Sequence, residues 1–115
     1  MEDNKTKILT DALLGKKASN VMLIDIKDKT TIADAFIIAS GNSATQVKAL
    51  YDEIRDKADE NNLEIRASEG YDSAKWIIVD VEGIMIHIFY YKDREFYNIE
   101  RLWIDDDNVQ YYKES

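Results

Sequence analysis

The chain contains no cysteine and no proline, and only four glycines and one histidine in 115 residues. Without cysteine there is no disulfide, no thiolate metal ligand and no cysteine nucleophile. With His87 as the only imidazole, a histidine-rich metal site is impossible, and any catalytic dyad must rest on that residue. Four scattered glycines do not build a phosphate-cradling loop. No apolar run approaches the roughly 20 residues that cross a bilayer. The opening Met1-Glu2-Asp3-Asn4-Lys5 lacks the apolar stretch of a secretory signal and the Arg-rich character of a transit peptide. The expectation is a protein without a membrane span that stays where it is made.

Basic residues are also in deficit. Fifteen stand against 23 acidic ones, a formal net charge of -8. Nucleic-acid affinity comes mostly from Lys and Arg neutralising phosphates, so this balance predicts little direct contact with DNA or RNA. It matches a basic protein partner better. A hydrophobic share of 45% and a charged share of 33% are ordinary for one soluble globular domain with one core.

Periodicity outlines the elements. From Asp3 to Leu14, Ile8, Leu9, Ala12 and Leu13 share a helical stripe, with Gly15 as the stop. Val21 to Ile26 is an apolar run of strand length. Lys27 to Thr31 connects it to a second strand from Asp34 to Ala39. Ser43-Ala44-Thr45-Gln46 has the form of a capping box. It opens a helix whose stripe is Val47, Tyr51, Ile54 and Ala58 and which ends near Asn61. Leu63 to Ala67 alternates like a short strand, and two strands around a helix predict a βαβ crossover.

Lys75 to Tyr91 is the most strongly patterned segment. Two apolar runs flank Glu82-Gly83, which suits a two-residue hairpin turn. Counting outward pairs Val81 with Ile84, Val79 with Ile86 and Ile77 with Ile88, a wholly aliphatic face destined for the core. The opposite face pairs Asp80 with Met85, Ile78 with His87 and Trp76 with Phe89. A carboxylate, an imidazole and two large aromatics fit either a second core layer or a partner-binding face with aromatic anchors. Spacing alone leaves both open. From Lys92 to Trp103 a last helical pattern puts Phe96, Ile99 and Trp103 on one stripe, and Arg94, Tyr97 and Glu100 on another. The segment from Ile104 to Ser115 begins with three aspartates and reads as a loose, solvated acidic tail.

Catalytic constellations are poorly represented. No nucleophile elbow surrounds a serine. Gly41-Asn42-Ser43, between a strand and a helix start, occupies the place where nucleotidyltransferases hold a phosphate. The strand that would follow with a metal-binding carboxylate pair reads Leu63-Glu64-Ile65-Arg66-Ala67, without that pair.

Four stretches together resemble the ribosomal silencing factors, the Iojap family. They are Asp34 to Ser43 with Gln46-Val47; Glu69-Gly70 with Trp76 and Asp80; Val81 to Phe89; and Arg94 to Trp103. Phe96 and Ile99 depart conservatively from the family's closing motif, and Glu82 and Met85 fall within the hairpin's variation. The likeness runs in order from about Asp11 to Trp103.

The resemblance implies an α/β fold related to nucleotidyltransferases, without catalysis, cofactor or metal. It implies one domain over residues 1–103, with a mixed sheet of about five strands packed with helices. It also implies binding to the large ribosomal subunit through ribosomal protein L-fourteen, obstructing the small subunit and lowering translation when nutrients are scarce. Organellar relatives act in large-subunit assembly, and this chain matches a bacterial cytoplasmic version. Trp76, Asp80, His87, Phe89, Arg94, Tyr97 and Glu100 fall on its motif positions and are the expected contacts. Aromatics would be anchors, Asp80 and Glu100 would face basic side chains, and His87 would donate to a carbonyl. Trp103 goes to the core. The rivals are a nucleotide-binding enzyme resting on Gly41-Asn42-Ser43, and a homodimer that uses the aromatic face as its interface.

Overall fold

The computed structural model describes residues 4–105 and 107–112. The expected helix start at Asp3 and the middle aspartate of Asp105-Asp106-Asp107 lie outside them. Helix α1 (Asn4–Gly15) buries Leu9, Ala12 and Leu13 from the expected stripe, together with Thr6 and Thr10. Just after it Lys17, not a glycine, takes the left-handed conformation at φ 64. Strands β1 (Ser19–Asp25) and β2 (Ala35–Gly41) pair antiparallel, and every residue of β2 is buried.

Helix α2 (Ala44–Glu60) starts as the capping residues require, with Ser43 Oγ accepting from the Gln46 N–H at 3.1 Å. Gln46 Oε1 reaches back to the Asn42 N–H, and its Nε2 donates to the carbonyls of Lys16 and Lys17. One side chain therefore ties the start of α2 to the end of α1.

Strand β3 (Ile65–Glu69) pairs antiparallel with β4 (Trp76–Val81), and β4 pairs antiparallel with β5 (Ile84–Tyr90). The β4–β5 register is the counted one at all six pairs. Glu82 and Gly83 both have positive φ, 51° and 94°, the two-residue turn whose twist matches a hairpin. After β5 come α3 (Tyr91–Tyr97), a 3-10 turn over Ile99–Leu102 and β6 (Val109–Tyr111).

The sheet has six strands in the order β3-β4-β5-β2-β1-β6, with β2 and β5 parallel and every other pair antiparallel. A mixed sheet was expected, with one strand fewer. β2 and β3 run in the same direction but do not pair, because the β4–β5 hairpin lies between them. Helices α1 and α2 cover one face, where Leu9, Leu13, Val47, Leu50 and Ile54 meet the aliphatic residues of β4 and β5. On the other face Met22, Ile24, Phe36, Ile38 and Phe89 form a second apolar layer. Ile99, Trp103, Ile104 and Val109 close over it.

Two expectations need correction. The segment from Ile104 is not a loose tail over its described residues. Val109, Gln110 and Tyr111 pair with Ile24, Leu23 and Met22. Asn108 locks the approach, its Nδ2 donating to the carbonyls of Asp25 and Trp103 and its own carbonyl accepting from the Asp25 N–H. The edge of β1 carries backbone groups that need partners, and this short strand supplies them. Asp105 is a turn residue. Lys29 bonds its carboxylate at 2.8 Å and holds it below the usual carboxylate range, helped by the Asp107 N–H.

The second correction concerns the last helical pattern. It breaks at Asn98, which is left-handed at φ 47 and whose N–H bonds the Arg94 carbonyl. The stripe assumed one continuous helix and grouped Phe96 with Ile99 and Trp103; these two pack on the core, whereas Phe96 is 80% exposed.

Candidate partner-binding site

The hairpin face that spacing left open is built around Trp76, the first residue of β4. Gly70, at φ 93, lets the preceding loop pass so close that a Cβ there would sit 2.1 Å from the Trp76 carbonyl oxygen. Only glycine fits this approach. The Trp76 indole stacks on Phe89 with ring centres 4.9 Å apart, and Tyr97 lies against its ring at the same distance. Its Nε1 donates to His87 Nδ1 at 3.1 Å. Phe36 meets the His87 ring edge-on, and Trp103 meets Phe36 in the same way. Trp103 thus joins the core layer, as expected.

The seven expected contact residues do not share one accessible surface. Phe89 is fully buried beneath Trp76, and His87 is 5% exposed. Burial holds the imidazole pKa down at about 4, so it is neutral near pH 7. With Nδ1 accepting from Trp76, the proton sits on Nε2, which is buried without a hydrogen-bond partner. His87 is therefore not placed to donate to a partner's carbonyl.

Arg94 is buried as well. Its Nη1 donates to the Asn20 carbonyl at 2.6 Å and to Ser40 Oγ at 2.9 Å, and its Nε donates to Glu100 Oε2 at 3.1 Å. This pins α3 and the 3-10 turn to β1 and β2, so Glu100 faces Arg94 rather than a foreign cation. The physical reason is common to all four residues: the chain from Tyr91 to Val109 folds back over this face, which spacing on the hairpin cannot reveal. Asp80 is half-buried and accepts from the Gly83 N–H at 2.9 Å, bracing the turn.

Two aromatics of the seven stay open to solvent, Trp76 half-buried and Tyr97 49% exposed. Beside them are two residues the spacing missed. Phe96 and Leu102 are each 80% exposed, and Phe96 packs edge-on against Tyr97. Phe96, Tyr97 and Leu102 are thus three exposed apolar side chains within one seven-residue segment, the kind of exposure found at protein-recognition sites. The only advance signal was the left-handed tolerance of Asn98, which cuts the helical stripe in two.

The Gly41-Asn42-Ser43 turn offers little to a nucleotide. A Cβ on Gly41 would lie 2.9 Å from Val47 Cγ2, so glycine is explained by the close start of α2. The Asn42 and Gln46 N–H groups are already bonded to side chains. Among the described residues, no group of three or more His, Asp or Glu lies together as a metal site requires. No described helix is long and apolar enough to cross a membrane.

Comparison with known proteins agrees in family and fold. The family model described as ribosomal silencing factor during starvation matches residues 2–115. A ribosomal silencing factor from Bacillus subtilis is 39% identical over 99 residues, covering 86% of this chain and 84% of its own length. A crystal structure of a Chromobacterium violaceum protein superposes with a TM-score of 0.86 at 31% identity, covering 94% of this chain and 92% of that one. A mouse protein named for mitochondrial assembly of the ribosomal large subunit is 27% identical, over 84% of this chain and 43% of its own length. The chain belongs to the ribosomal silencing factor family.

Proposed function

We infer that this chain is a non-catalytic binding module of the bacterial cytoplasm that docks on the large ribosomal subunit through ribosomal protein L-fourteen. By occupying that position it blocks the small subunit sterically and represses translation when nutrients are scarce. The observation that carries a docking role is the exposed apolar surface of Phe96, Tyr97 and Leu102 beside Trp76. Two large apolar side chains, each 80% exposed within one seven-residue segment, are better suited to meeting a partner than to facing water. A net charge of -8 suits a basic ribosomal protein and opposes direct binding to RNA. The family supplies the choice of the ribosome as partner.

Sedimenting purified large and small subunits separately with the protein tests this reading. Co-migration with large subunits, retained by wild type and lost by the Phe96→Ala, Leu102→Ala double variant, supports it. Absence from the large-subunit fraction refutes it. Loss of a homodimer in the same double variant, without any change in subunit binding, would assign the surface to self-association instead.

A further inference from the structure

A cavity of about 530 Å³ shares no lining residue with the exposed apolar side chains Phe96, Tyr97 and Leu102. It is bounded by β1, α3 and β6, and its walls include Tyr91, Tyr111, Tyr112, Glu95, Glu100 and Asn20. The backbone is reshaped on both sides. The β1–β2 register slips between Ser19 and Met22, and Asn20 within that slip is left-handed at φ 50. Across the cavity Asn98 is left-handed at φ 47. Bulges and strained non-glycine residues concentrate where a protein re-aims groups toward a ligand.

The chemistry of the walls selects the sign of the occupant. Arg94 also lines the cavity, but its Nη1 and Nε are committed to Asn20, Ser40 and Glu100. Its charge is matched by Glu100, which leaves Glu95 uncompensated among the charged lining residues. Glu100 has a second oxygen, Oε1, that is buried and accepts no hydrogen bond. A buried carboxylate oxygen without a donor is costly and marks a place where a donor is wanted. Tyrosine rings attract cations, three tyrosines line this space, and Lys92 Nζ already lies 5.9 Å from the centre of the Tyr91 ring.

We propose that this cavity receives a positively charged group, a guanidinium or an alkylammonium, held among the tyrosines with Glu95 as its counter-charge and Glu100 Oε1 as a hydrogen-bond acceptor. The cavity's lining residues are distinct from Phe96, Tyr97 and Leu102, with Glu95 next to Phe96 on α3. Its ligand is a free polyamine or a basic side chain presented by a protein, and both carry the same recognised chemistry.

Amide chemical-shift titrations of the full chain test the assignment. The probes are N-acetyl-arginine-amide, its neutral isostere N-acetyl-citrulline-amide, and spermidine. Saturable shifts at Asn20, Tyr91, Glu100 and Tyr112 are expected with the charged probes, at least tenfold tighter than with citrulline. Tyr91→Leu and Glu95→Gln alter exposed residues and should each weaken binding roughly two- to fivefold with the rest of the spectrum unchanged. A stronger response to spermidine identifies a free polyamine, and a stronger response to the arginine amide identifies a protein side chain. Equal binding of citrulline, or unsaturated shifts spread over residues outside the cavity, overturns the proposal.

Discussion

At the residue scale, His87 carries the most consequential charge question. It is neutral in the folded protein because burial lowers its pKa from 6.5 to about 4. In the unfolded chain the same imidazole takes up a proton below about 6.5, so the unfolded state binds more protons across that window. Stability therefore falls as pH drops from about 6.5 toward 4, by about 3 kcal/mol from this residue at the lower end. Denaturation series at several pH values should show that slope in wild type, and His87→Gln should flatten it while keeping an acceptor for Trp76. An unchanged slope in the variant would contradict the burial account.

The aromatic residues divide by the same criterion. Phe89→Ala removes a fully buried ring and should cost about 3–5 kcal/mol of stability. Phe96→Ala and Leu102→Ala should each change stability by no more than about 0.5 kcal/mol, and at least one should weaken subunit binding roughly thirtyfold. Parallel denaturation and binding measurements separate the two classes. Phe96 could not be placed from spacing, because its exposure depends on the left-handed turn at Asn98 two residues later.

At the scale of elements, α3 has seven residues and depends on what holds it down. Arg94 joins it to the β1 bulge, to β2 and to the 3-10 turn. Arg94→Met should cost about 3–5 kcal/mol, because it strands the mostly buried Glu100 carboxylate without its cation. Arg94→Met combined with Glu100→Met should recover much of that loss, a coupling that a double-mutant cycle by denaturation would read. Additive losses would mean that the pair does not act as a unit.

The β4–β5 hairpin was legible because alternation and Glu82-Gly83 both specify the same register. The α2 start was legible for a similar reason, since Ser43 and Gln46 act locally. Strand order and β6 were not. Pairing of β2 with β5, or of Val109 with Ile24, links residues far apart in the chain, and no local pattern encodes which edge a three-residue strand will join.

At the scale of the whole molecule, a net charge of -8 predicts that docking on a basic partner is steered electrostatically. Association should slow as salt rises while the apolar contacts govern dissociation, which stopped-flow binding at several ionic strengths would separate. The fold places the exposed Phe96, Tyr97 and Leu102 on the segment that follows β5, next to a six-stranded sheet with an apolar layer on each face. Family and fold class could be read in the order of four motifs. The exposure of the contact surface could not, because it depends on the chain after β5 closing over Phe89 and His87. The central claim is that this protein keeps ribosomal subunits apart by docking through that surface. Its most direct test is to titrate the protein into re-associating subunits and measure the fraction of joined ribosomes on a sucrose gradient. Joined ribosomes should decline as wild type is added and persist with the folded Phe96→Ala, Leu102→Ala variant. A joined fraction that stays constant with saturating wild-type protein would contradict the account.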